Sequence, residues 1–159
     1  MTPNKIMVPL DGSRLSEVAL PAAFDFARRG ATLVLLRAAE ATRLPATDPT
    51  ESQVAVIREA EGYLSSVAAR ARKAGVTAVE TSVWYGPPAE SIIEAARVRG
   101  IDLIVMSSHG RSGLGRLVLG SVAETVLRGT TTPILLLRDR EAPVMPLAPT
   151  ATMKETTHV

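Results

Sequence analysis

At 159 residues, with 46% hydrophobic and 21% charged side chains, the chain is one domain's worth of sequence, long enough to bury roughly two-thirds of the surface its unfolded form would expose. Its 18 basic and 16 acidic residues leave a net +2 with no basic run, and aromatics are only 3%, which argues against nucleic acid as a partner. The absence of cysteine excludes disulfides, thiolate zinc sites and cysteine nucleophiles, and no window approaches the ~18 apolar residues of a membrane span, so a cytoplasmic protein without a membrane partner is expected.

The first apolar run, Ile6 to Leu10, reads as a strand covered on both faces. A helix is expected from about Ser13 to Arg29, with Val18, Ala22 and Phe26 inward and a kink at Pro21, which lacks the N–H that a helix interior needs. Leu33 to Leu36 is the second strand, and residues 41 to 50, ATRLPATDPT, read as a polar loop after it. Val54, Ile57, Leu64, Val67, Ala68 and Ala71 then fall on one stripe of a long amphipathic helix that Gly75 stops. In Val76 to Tyr85, the residues Val79, Thr81, Val83 and Tyr85 alternate with Glu80, Ser82 and Trp84, as on an edge strand with one wetter face. Pro87 and Pro88 open a third helix with Ile92, Ile93 and Ala96 inward, ended by Gly100. Leu103 to Met106 is a strand, about Gly120 to Arg128 a fourth helix stopped by Gly129, and Ile134 to Leu137 the last strand. Strand and helix in alternation imply right-handed crossovers and a doubly wound α/β fold over residues 1–138, and the proline- and threonine-bearing residues 139–159 read as a disordered tail.

The chemistry concentrates after the fourth strand. Gly110 and Gly120 bracket nine residues, and Ser121 follows where the helix begins, a setting in which free backbone N–H groups and the helix dipole converge on an anion. If the first and fourth strands are neighbours, the turn at residues 9–13 faces that loop across the crevice where ligands sit in open α/β sheets. Asp11 then either accepts from sugar hydroxyls or an exocyclic amine, or caps the first helix; Ser121 either donates to phosphate or caps its own helix. Arg111 and Arg116 either approach the phosphates or are solvated, and Arg111 is counted with the site. There is no GxxxxGK[ST], no GxGxxG and no GxSxG, and His109 reads as a turn residue rather than part of a catalytic triad. Carboxylates do not cluster, which leaves Mg²⁺ only as a companion of a nucleotide.

These segments, PLDGSRLSEVAL, YGPPAESI and SSHGRSGLGRLVLGSVAETVLRGTTTPILLLR, resemble the universal stress protein family in its ATP-binding branch, over Lys5 to Arg138. That branch carries glycine, two residues, glycine, nine residues, glycine, then serine or threonine; here the spacing is kept and Ser107 stands at the first position. The resemblance implies a five-stranded parallel, Rossmann-like sheet of order 3-2-1-4-5 with helices on both faces. It implies ATP, or another adenine nucleotide, with Pro9 and Asp11 at the nucleoside end and the Ala38 backbone on the adenine. Met106 and Ser107 would sit beside the ribose, and Gly110, Gly120, Ser121 and the Val122 amide would hold the phosphates. It also implies a homodimer joined through Pro133 to Arg138, an apolar edge that would otherwise invite aggregation. The expected function is a nucleotide-dependent stress-response module with little or no hydrolysis, since no positioned base or finger-type arginine stands out. The alternatives are a nucleotide-free dimeric interaction module of the same fold and a slow ATP-hydrolysing enzyme.

Overall fold

The structure, a computed structural model, describes residues 2–40, 48–108 and 119–139. The strands are β1 Lys5–Pro9, β2 Thr32–Ala39, β3 Val79–Tyr85, β4 Leu103–Ser107 and β5 Ile134–Leu137; the helices are α1 Leu20–Arg28, α2 Pro49–Lys73, α3 Pro88–Val98 and α4 Ser121–Gly129. All strand pairs are parallel and the order is β3-β2-β1-β4-β5, as expected. Successive residues of one strand serve opposite layers, which is why the apolar runs carry no polar interruption. Ile6, Val8, Leu33, Leu35 and Val105 pack with Ala23 and Ala27 of α1 and Leu64, Val67 and Ala71 of α2. Met7, Val34, Leu36, Ile104 and Met106 pack with Ile92 and Ala95 of α3 and Ala123 and Val126 of α4.

The stretch expected to be one kinked helix is two elements. A short 3-10 helix, Ser16–Ala19, precedes α1, and Pro21 falls in the first turn of α1, where its missing N–H has no intrahelical acceptor to lose. Because α1 starts afresh there, its buried stripe is Leu20, Ala23 and Ala27, with Ala22 and Phe26 only half-buried beside it. The expected loop 41–50 is also shorter. Asp48 caps α2, its Oδ1 accepting from Thr50 N at 2.7 Å and Glu51 N at 3.4 Å, and Pro49 occupies the first helical position. Residues 41–47 lie outside the described residues, as do residues 140–159 of the expected tail.

In α2 the inward stripe holds from Ala60 onward, but Val54 is exposed, because the first turns of this long helix run past the core. Its end is as read: Gly75 at φ +91 follows the C-cap Ala74, and Val76 N donates to Ala71 O at 3.0 Å and Gly75 N to Arg72 O at 3.0 Å. Val76 is therefore a buried residue of that helix stop, and β3 begins three residues later. β3 does lie at the sheet edge, yet its faces are not wet and dry. Trp84 packs on the α3/α4 cluster, Glu80 pairs with Lys5 and Arg99, and Thr81 and Tyr85 from the expected apolar set are exposed. Gly129 is not a left-handed stop but the last residue of α4; a Cβ there would stand 2.5 Å from Ile93 Cδ1, so glycine lets α4 approach α3. Among the described residues no helix is long and apolar enough to cross a membrane.

Candidate functional site

β1 and β2 run together until Leu10 N donates to Leu36 O at 2.8 Å, and then they part. Gly12, at φ +83, turns the chain off the sheet in a conformation that disfavours any residue with a Cβ. Asp11 Oδ1 accepts the Ser13 N–H at 2.8 Å, while the buried Ser16 accepts from Asp11 N at 3.3 Å and donates to Ser13 O at 2.8 Å through its hydroxyl. The carboxylate thus closes an Asx turn ahead of the 3-10 helix rather than capping α1 itself.

A cavity of about 520 Å³ opens beside this turn, outside the carboxyl ends of the strands, where the chain order reverses between β1 and β4. The structure brings the candidate residues together around it. Pro9 and Asp11 line it from the end of β1, Ala38 from β2, Met106 and Ser107 from β4, and Gly120, Ser121 and Val122 from the start of α4. Gly110 and Arg111, with His109 and Arg116, lie outside the described residues. Ser107 ends β4 in extended backbone with its side chain buried, a geometry that accommodates a Cβ without strain.

The start of α4 leaves backbone donors at the edge of the cavity. Gly120 is the N-cap, at φ −60 and ψ 147, and no side chain caps the helix, so Ser121 is its first residue and not its cap. Gly120 N is held by Ser108 O at 2.8 Å, and the first intrahelical bond runs from Glu124 N to Gly120 O at 2.9 Å. The N–H groups of Ser121, Val122 and Ala123 therefore have no acceptor within the helix, and these residues line the cavity.

Glu40, Val56, Glu59 and Arg37 also line the cavity, and sequence reasoning passed them over. Two signals were available: the Asp48–Pro49 start, which sets the first turns of α2 against the cavity, and a lone arginine inside the apolar run of β2. Arg37 is buried and pairs with Glu59 at 2.8 Å. Beside it Tyr63 donates to Glu17 Oε1 at 2.9 Å, and Glu17 also pairs with Arg70 at 2.9 Å. Burial, then the hydrogen bond to the Glu17 carboxylate, push the Tyr63 phenol well above its ordinary value. A raised folded-state value means that the native state keeps a proton the unfolded chain gives up, so this contribution to stability is full below about pH 10 and is lost as pH rises further. Stability measured by urea unfolding is accordingly expected to fall less steeply above about pH 10 in Tyr63→Phe than in the wild type. Equal slopes would contradict the assignment. Among the described residues no group of three His, Asp or Glu could hold a metal ion.

The model of the universal stress protein family matches residues 3–138. The chain belongs to this family. Universal stress protein YxiE of Bacillus subtilis (strain 168) is 33% identical over 150 residues, covering 85% of this chain and 99% of that one. Among solved structures, the universal stress protein UspA from Lactobacillus plantarum superposes with a TM-score of 0.75 at 26% identity, over 85% of this chain and 97% of that one. A universal stress protein solved in complex with cAMP shares the fold at a TM-score of 0.67 and 23% identity, over 86% of this chain and 98% of that one.

Proposed function

We propose that this universal stress protein binds an adenine nucleotide, ATP foremost, in the cavity at the β1/β4 switch point, and holds it as a signal or stabilising ligand with little or no hydrolysis. The observation that carries the reading is the main chain of Ala38. Leu36 O points toward β1, where it accepts from Leu10 N, and Ala39 O points toward β3, where it accepts the Gly86 N–H at 3.0 Å. By strand alternation the N–H and C=O of Ala38 face the β1 side, past the last β1–β2 bond. One donor beside one acceptor matches N1 and the 6-amino group of adenine. Pro9, Ile92 and Met106 supply apolar surface for the rings, and the uncapped N-terminus of α4 suits phosphates. The cAMP complex of a protein with this fold supports the same ligand class.

Mg²⁺ would reach the site on the phosphates rather than through a carboxylate cage. β5 is the outer strand on the β4 side, with every side chain half-buried, and we assign residues 133–138 as the seam of a homodimer in a cytoplasmic protein. The test is mass spectrometry of ligand released from purified protein, followed by calorimetric titration with ATP, AMP and cAMP. Saturable heat with ATP is expected; no heat with any of the three at millimolar concentration removes the reading. A phosphate-release assay is expected to stay below one turnover per site over hours, and multiple turnovers would establish the enzyme alternative.

A further inference from the structure

Strand β2 carries its single charge at Arg37, on the face that Leu33 and Leu35 turn to the α1/α2 layer. Arg37 lines the cavity and is only 7% exposed. Its guanidinium is engaged on one side. Nη2 pairs with Glu59 Oε2 at 2.8 Å, and Cζ stands 5.0 Å from the centroid of the Tyr63 ring, within reach of a cation–π contact. Nη1 is buried without any acceptor. It lies under the Asp11–Gly12 turn, so closely that a Cβ on Gly12 would stand 3.0 Å from it. Two polar groups beside the guanidinium are committed elsewhere: Glu59 to Nη2, and the Tyr63 hydroxyl to Glu17.

A buried donor left unsatisfied costs more than the average hydrogen bond returns, and more again when it carries charge. Arginine cannot escape by losing its proton, because it stays charged in proteins. Glu59, at 61% exposure, pairs with one side of the guanidinium from α2, and Nη1 on the other side lies under the Asp11–Gly12 turn, whose Asp11 borders the cavity. The planar fork suits this division, since one nitrogen can hold a carboxylate while another serves a second acceptor.

We propose that Arg37 is a base-binding residue, with Nη1 donating to a ring nitrogen of the nucleotide's base. This rests on the adenine-nucleotide reading, in which Ala38 takes N1 and the 6-amino group and leaves N3 and N7 as the remaining ring acceptors. Ala38 and Arg37 then grip the base from adjacent positions of one strand, through main chain and side chain respectively. A ligand without that acceptor enters the cavity but leaves the buried donor unpaired, the arrangement by which polar sites discriminate best.

The test is calorimetric titration of the full chain with ATP, 3-deaza-ATP and 7-deaza-ATP, for the wild type and for Arg37→Met. The wild type is expected to bind one of the two analogues about tenfold or more weakly than ATP, the loss typical of a hydrogen bond to a charged group. In Arg37→Met, ATP is expected to fall to the level of that analogue, so that the ratio between them collapses to about one. Arg37→Lys keeps the charge without the fork and is expected to lose the same discrimination, which supplies the comparison if the methionine variant does not fold. Equal binding of ATP and both analogues by the wild type, or discrimination that survives in both variants, overturns the role of Arg37 and leaves the adenine-nucleotide reading standing. No binding of ATP by the wild type overturns both.

Discussion

Gly120→Val is expected to weaken ATP binding by at least about a hundredfold while leaving the far-ultraviolet circular dichroism of the protein unchanged. The backbone at Gly120 sits at φ −60 and ψ 147, a conformation that valine adopts readily, and its N–H and C=O bonds to Ser108 and Glu124 do not depend on the side chain. The isopropyl group would add bulk on the residue that immediately precedes the Ser121 and Val122 amides. Losing two charge-assisted bonds of about 1.5–3 kcal/mol each accounts for a loss of this size. Isothermal titration checks the affinity, and an unaltered value would contradict the assignment of the α4 N-terminus to phosphate.

The second large effect is on the fold. Ile104 is fully buried, in register with Met7 of β1 on one side and Ile134 of β5 on the other, and belongs to the cluster that α3 and α4 cover. Ile104→Ala is expected to cost about 2–5 kcal/mol, because the transfer free energy of the lost carbons is lost and the neighbours on both strands cannot close the space. That is a large share of the roughly 5–15 kcal/mol that stabilises a typical domain, and thermal unfolding should move down by about 10 °C. Ile104→Val, which removes one methylene, should cost about 0.5–1.5 kcal/mol. A shift of less than about 2 °C for the alanine variant would mean that the β4 centre is not the close-packed core described.

The sheet was legible in the sequence because burial on both faces leaves uninterrupted apolar runs, and the positions of Ile6, Leu33, Leu103 and Ile134 at or near the strand starts follow from that. The helices were less so, since a boundary depends on which residue ends up with a free N–H. Pro21 and the Asp48–Pro49 pair were read as a kink and a loop, yet both mark helix starts, where proline loses no hydrogen bond. Gly129 carried an ambiguity that sequence cannot resolve: a glycine after a helical stripe reads as a left-handed stop, and only its helical backbone, with Ile93 Cδ1 close by, shows otherwise. Around the cavity, the residues flanking strand ends and the helix N-terminus could be placed from the sequence because their position follows from topology. Arg37 was not, because its significance lies in Glu59 and Tyr63, which are distant in sequence, and in a nitrogen that neither of them satisfies.

The separation of β1 and β2 after Leu10 has a consequence for how such a site changes over time. The N–H and C=O of Ala38 belong to the main chain, so exchange of its side chain leaves both in place, and only proline at that position would delete the donor. On the proposed adenine reading, preference for the base would be inherited with the strand geometry and not with the identity of residue 38. Retuning it by point substitution would then fall to side chains, including that of residue 38, that border the same gap.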